Sequence, residues 1–93
     1  MSQNFRITVN YTGLVQGVGF RWQVNHLAHS TPCTGYVKNL RDGSVEVVME
    51  GRKKDLLDLI ECIECKMDGY WQDKTMDERS GYAHFEEFSI RNH

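Results

Sequence analysis

No stretch of this 93-residue chain approaches the roughly 20 consecutive apolar residues that cross a bilayer, so no membrane partner is expected. The opening Met1-Ser2-Gln3-Asn4 leads straight into an alternating segment with no apolar core, and no signal peptide is read there. Strong charge of either sign is also lacking. Eleven Lys and Arg against 13 Asp and Glu leave a formal charge of −2. Nucleic acids select basic surfaces, so no nucleic-acid partner is expected. Cysteine is too sparse for a disulfide framework. Cys33, Cys62 and Cys65 make an odd number, which points to free thiols in a reducing compartment and hence to the cytoplasm. Repeats, linkers and low-complexity tracts are missing, and the length fits one domain over residues 1–93. What is present is ordinary for a globular core: 40% apolar and 26% charged residues.

Alternation is the first positive signal. Phe5, Ile7, Val9 and Tyr11 alternate with Arg6, Thr8 and Asn10, which predicts a strand over residues 5–11 with one buried face. Residues 12–19 hold three glycines and read as a loop. Phe20, Val24, Leu27 and Ala28 then follow helical spacing, with Trp22, Asn25, His26 and His29 largely on other faces. This predicts a helix from Phe20 to Ser30, ended by Pro32, the only proline. Gly35 to Leu40 and Ser44 to Glu50 read as strands, and the Asp42-Gly43 pair between them signals a hairpin. Leu56, Ile60, Ile63 and Met67 share the face of a second helix over residues 53–67. Residues 70–83 scatter Trp71, Met76 and Tyr82 among charges, and only a short strand is read there. Phe88 and Ile90 mark a last strand, starting near Phe85. The order βαββαβ predicts a ferredoxin-like α+β sandwich, an antiparallel sheet with both helices on one face.

Two places invite chemistry. Gln16-Gly17-Val18-Gly19-Phe20-Arg21 lies between a strand and a helix start. The first-turn amides of a helix lack internal partners, and glycine lets backbone approach a ligand closely. A guanidinium at the loop's end matches a pair of phosphate oxygens. The segment therefore reads either as an anion cradle or as a tight turn whose glycines serve geometry alone. It is neither a dinucleotide fingerprint, since position 22 is Trp, nor a Walker loop, since no Gly-Lys-Ser/Thr follows. Asn39 has two readings as well. It begins the hairpin turn, or its carboxamide, which both donates and accepts, holds a water molecule in one orientation.

Together, Gly13-Leu14-Val15-Gln16-Gly17-Val18-Gly19-Phe20-Arg21 and, after a gap, Gly35-Tyr36-Val37-Lys38-Asn39-Leu40-Arg41-Asp42-Gly43-Ser44-Val45-Glu46-Val47 resemble the acylphosphatase family. The V-Q-G-V-G-F-R block is highly specific, and the spacing between the two blocks matches. The resemblance runs from the first strand through the second helix and weakens from residue 70. It implies the same βαββαβ sandwich and hydrolysis of acyl phosphates to a carboxylate and inorganic phosphate. The resemblance further implies that Arg21 and Asn39 are catalytic. The phosphate would be bound by Arg21 and the loop amides of Gln16, Gly17, Val18, Gly19, Phe20 and Arg21, and the attacking water oriented by Asn39. The expected partner is a small-molecule acyl phosphate, with no cofactor, no metal and a monomeric chain.

Other features carry less. Cys62-Ile63-Glu64-Cys65 lies late in a helix and lacks the further ligands of a zinc site, so plain helix thiols are expected. His26 and His29 are helix neighbours without a third ligand, read as a solvated face. Tyr70, Trp71 and Tyr82 read either as a pocket rim or as packing aromatics.

Overall fold

A computed structural model describes residues 4–92, so the reading of Met1-Ser2-Gln3 lies outside the described residues. The elements run β1 (Asn4–Gly13), α1 (Phe20–Ala28), β2 (Thr34–Asn39), β3 (Val45–Gly51), α2 (Lys53–Lys66), β4 (Trp71–Gly81) and β5 (Phe88–Arg91). One sheet holds all five strands in the order β4-β1-β3-β2-β5. The alternation of β1 places Ile7, Val9 and Tyr11 in the core, where Val47 and Met49 of β3 and Val37 of β2 join them. Phe20, Val24 and Ala28 bury one stripe of α1, and Leu56, Leu59, Ile60 and Ile63 bury one face of α2, all in the same cluster. Both helices therefore cover one face of the sheet, as the sequence pattern predicts. Full burial of an aliphatic or Phe side chain contributes about 1.5–3 kcal/mol. That is enough for Phe20 and Val24, with the smaller Ala28 methyl beside them, to fix the rotation of the nine-residue α1, which is too short to hold alone.

The last quarter of the chain differs from the expectation. The strand expected to be short is 11 residues long and pairs with β1 along its whole length, Asn4 to Gly81 through Gly13 to Trp71. Most of its side chains are exposed on both sheet faces, so it carries no apolar alternation. Its pairing satisfies the backbone of β1, which carries the buried Ile7, Val9 and Tyr11, and shifts the open edge of the sheet to a polar, charged strand. This strand is the fourth of the βαββαβ unit, and β5 is an addition. β5 pairs parallel to β2, so the sheet is mixed rather than wholly antiparallel.

β4 and β5 lie on opposite edges, so residues 82–87 must cross the sheet. Four strand spacings amount to about 19 Å. The seven Cα steps from Gly81 to Phe88 reach about 23 Å when extended. The crossing is therefore a nearly taut strap, and Glu50 anchors it. The backbone N–H groups of His84 and Phe85 donate to Glu50 Oε1 at 2.6 and 3.2 Å, and Arg6 Nη2 donates to Glu50 Oε2 at 2.7 Å. These bonds compensate a carboxylate that is only 2% exposed. They also explain why the last strand starts at Phe88 and not near Phe85: the Phe85 amide is committed to Glu50 and its ring packs on Tyr36. α1 ends two residues before the expected Ser30. Ser30 Oγ and Thr31 Oγ1 bond back to the carbonyls of Leu27 and Ala28, closing the last turn ahead of Pro32.

Candidate active site

The loop after β1 bends on two glycines in the left-handed region, Gly17 at φ 78° and Gly19 at φ 79°. A side chain at either position would be strained. Gly19 is the N-cap of α1, and no side chain caps the helix there. The first helical bond runs from Gln23 N–H to the Gly19 carbonyl, so the amides of Phe20, Arg21 and Trp22 have no partner within the helix. No acidic residue sits in the first turn, and the positive end of the helix is left uncompensated by the chain.

Gln16 does something the sequence does not announce. Its Nε2 donates to the carbonyls of Leu40 and Ser44 at 2.7 and 2.8 Å, tying the glycine loop to the β2–β3 hairpin. The hairpin is itself closed by Asp42, whose Oδ1 accepts from Ser44 N–H at 2.9 Å and from Ser44 Oγ at 2.5 Å. The Ser44 hydroxyl and amide hold the Asp42 carboxyl below the usual carboxylate range.

The end of β2 is thereby brought against the start of α1. Val15, Gly17, Gly19, Phe20, Arg21, Trp22, Asn39 and Ile90 surround a hollow of about 190 Å³. One water needs about 10–15 Å³ of such space, so a phosphate group and a water fit together. Arg21 Nη1 donates to Asn92 Oδ1 at 2.6 Å, and among the described residues Arg21 pairs with no carboxylate. One of its five donors is thus used to fix the guanidinium. Asn39 Oδ1 is buried and has no hydrogen-bond partner among the described residues, an expensive state for an acceptor.

Of the residues singled out in the sequence, Arg21, Asn39, Gly17, Gly19 and Phe20 line this hollow, whereas the Gln16 and Val18 side chains do not. Three contributors had no clear sequence signal: Ile90, Asn92 and Trp22. Trp22 was visible only as the first member of the i, i+3, i+4, i+7 set Trp22, Asn25, His26, His29. The aromatics read either as a pocket rim or as packing residues lie away from this hollow. Trp71 packs on the core with its Nε1–H donated to the Glu64 carbonyl, and neither Tyr70 nor Tyr82 reaches the hollow. Cys62 and Cys65 are exposed on α2, and among the described residues no group of three or more His, Cys, Asp or Glu is placed to hold a metal ion.

Residues 7–90 match the family model for acylphosphatase. An acylphosphatase of Yersinia pseudotuberculosis is 40% identical over 92 residues, covering 98% of this chain and 99% of its own. One from Leuconostoc mesenteroides is 37% identical over 87 residues, covering 91% and 96%. The crystal structure of acylphosphatase from Bacillus subtilis superposes with a TM-score of 0.82 at 33% identity, covering 97% of this chain and 99% of the other. The chain belongs to the acylphosphatase family, hydrolases that act on the acid anhydride of acyl phosphates.

Proposed function

We propose that the hollow between the glycine loop and the end of β2 is where the acyl phosphate is cleaved. Arg21 and the amides of residues 16–21 grip the phosphoryl group, and Asn39 orients the attacking water. The observation that carries this reading is that a guanidinium and a carboxamide oxygen, neither of them paired with a carboxylate or a donor respectively among the described residues, line the same hollow at an uncapped helix start. Acting there, the water oxygen forms a bond to phosphorus as the P–O bond to the acyl group breaks. The departing carboxylate has a pKa of about 4–5 and needs no proton to leave. The proton of the attacking water passes to a phosphoryl oxygen of the substrate. The developing charge lies on the phosphoryl oxygens, which is where fixed N–H donors and a guanidinium are effective. Positioning supplies the remainder. Three free thiols fit a cytoplasmic, reducing setting.

The test is hydrolysis of benzoyl phosphate, followed by loss of its ultraviolet absorbance, with and without EDTA. Activity is expected under both conditions. Arg21→Ala should lower kcat by about 10²–10³, the range for losing one fixed donor at a developing anion, and Asn39→Ala by about 10², the range for losing the position of a reacting group. Wild-type-like turnover in either variant, with the fold intact by circular dichroism, would remove that residue from the mechanism.

A further inference from the structure

Trp22 is the residue that the phosphate reading leaves unexplained. It is 62% exposed although tryptophan is the largest apolar side chain available to bury. It lines the hollow shared by Arg21 and Asn39, and it also lines a second, neighbouring groove of about 190 Å³ formed with Asn25, His26 and His29. The indole is not loose. It stacks on the His26 ring with centroids 5.1 Å apart and planes 4° from parallel, the i, i+4 contact that α1 provides. His29, one turn further, is fixed by a contact of 3.0 Å between Nε2 and the Phe88 carbonyl. The groove floor is therefore ordered by the same helix that presents Arg21.

We infer that Trp22, braced by His26, forms the acyl-side wall of the site and selects acyl phosphates whose acyl group is flat and aromatic. This rests on the phosphate reading of the hollow. Arg21 and Trp22 line the same hollow, so a group bonded to a phosphate held by Arg21 lies within reach of the indole. His26 covers one face of the indole, and the remainder of the ring is exposed at the rim of the hollow. A flat acyl group stacks there in an offset arrangement, and a small aliphatic acyl group finds almost nothing to touch. Trp22 is thus a specificity-determining residue. Its contribution is made to the bound substrate, so it registers in KM more than in kcat.

The experiment compares kcat/KM for benzoyl phosphate and acetyl phosphate in the wild type, Trp22→Ala and Trp22→Phe. Trp22 lies outside the core cluster, so neither substitution opens a cavity in it. The benzoyl-to-acetyl ratio should fall about five- to tenfold in Trp22→Ala, the factor of one aromatic pair, and stay within about twofold in Trp22→Phe. A ratio unchanged in Trp22→Ala, even with both rates lowered, overturns the inference. Binding of benzoylphosphonate and acetylphosphonate to the wild type, followed by NMR of the two indole N–H signals, decides the matter independently of turnover. The Trp71 N–H, bonded to the Glu64 carbonyl, is the internal control. A shift of the Trp22 signal with benzoylphosphonate and not with acetylphosphonate supports the subsite. No such difference overturns it. If the wild type hydrolyses neither acyl phosphate, the phosphate reading fails, and the indole signals still decide whether the aromatic wall exists.

Discussion

Gln16→Ala isolates the tie between the glycine loop and the hairpin, because it keeps the backbone amide at position 16 and removes only the side chain. Two hydrogen bonds are lost, at 2.7 Å to the Leu40 carbonyl and 2.8 Å to the Ser44 carbonyl. Each acceptor keeps one backbone donor, Gly43 N–H and Leu40 N–H respectively, so neither is orphaned. At about 0.5–1.5 kcal/mol net per bond, the variant should lose about 2 kcal/mol. For a domain of this length that is roughly 8–16 °C in Tm. Ordinary domain stability of about 5–15 kcal/mol leaves the variant more than about 95% folded at 25 °C. Any large loss of turnover therefore reports geometry and not unfolding. A misplacement of about 1 Å costs up to 10²-fold, so kcat/KM for benzoyl phosphate should fall by about tenfold or more. If Gln16 works by holding the loop against Asn39, the double variant with Asn39→Ala should lose less than the product of the two single losses. Gln16→Glu should be worse than Gln16→Ala, since it points a carboxylate at two carbonyl oxygens. A lowered Tm with kcat/KM changed less than twofold would refute the positioning argument, and an unchanged Tm would refute the tie itself.

Acid should loosen the strap. Burial pushes the Glu50 carboxyl up, but the His84 amide, the Arg6 guanidinium and the His84 ring outweigh it and leave the value lowered from 4.5. A lowered folded value means the stabilisation is complete above 4.5 and fades as pH falls through the folded value, so Tm measured from pH 6 to pH 2.5 should drop, and less steeply in Glu50→Gln. Gly35→Ala should be severely destabilising, by about 3 kcal/mol or more in urea unfolding, because its Cβ would stand 1.9 Å from the Val48 carbonyl oxygen at φ +141°. Cys62→Ser with Cys65→Ser should leave urea stability within about 0.5 kcal/mol per site, since both thiols are exposed on α2; a larger loss would mean the pair holds something.

Elements with a one-sided environment were readable residue by residue. β1 and α2 each bury one face, so their apolar periods of two and of about 3.6 survive in the sequence. The length of β4 was not readable, because an edge strand with wet side chains on both faces has no period to show, and its pairing is decided by the backbone edge of β1. The start of the last strand was misjudged at Phe85 for a related reason: the partner that claims that residue, Glu50, is 35 positions away.

The chain's own order therefore determined the local pieces: two amphipathic helices, the Asp42-Gly43 hairpin, and a loop whose left-handed φ values favour glycine. Their chemistry is written within a few residues, where steric and hydrogen-bonding rules act directly. Only the tertiary structure decided which of these pieces meet. Arg21 shares a hollow with Asn39, Gln16 spends its amide on the hairpin, Asn92 returns to hold the guanidinium, and Trp22 stands between two cavities on a His26 brace. Those contacts span up to 71 positions, and they are fixed by the burial of the sheet and helices rather than by any property of the residues that make them.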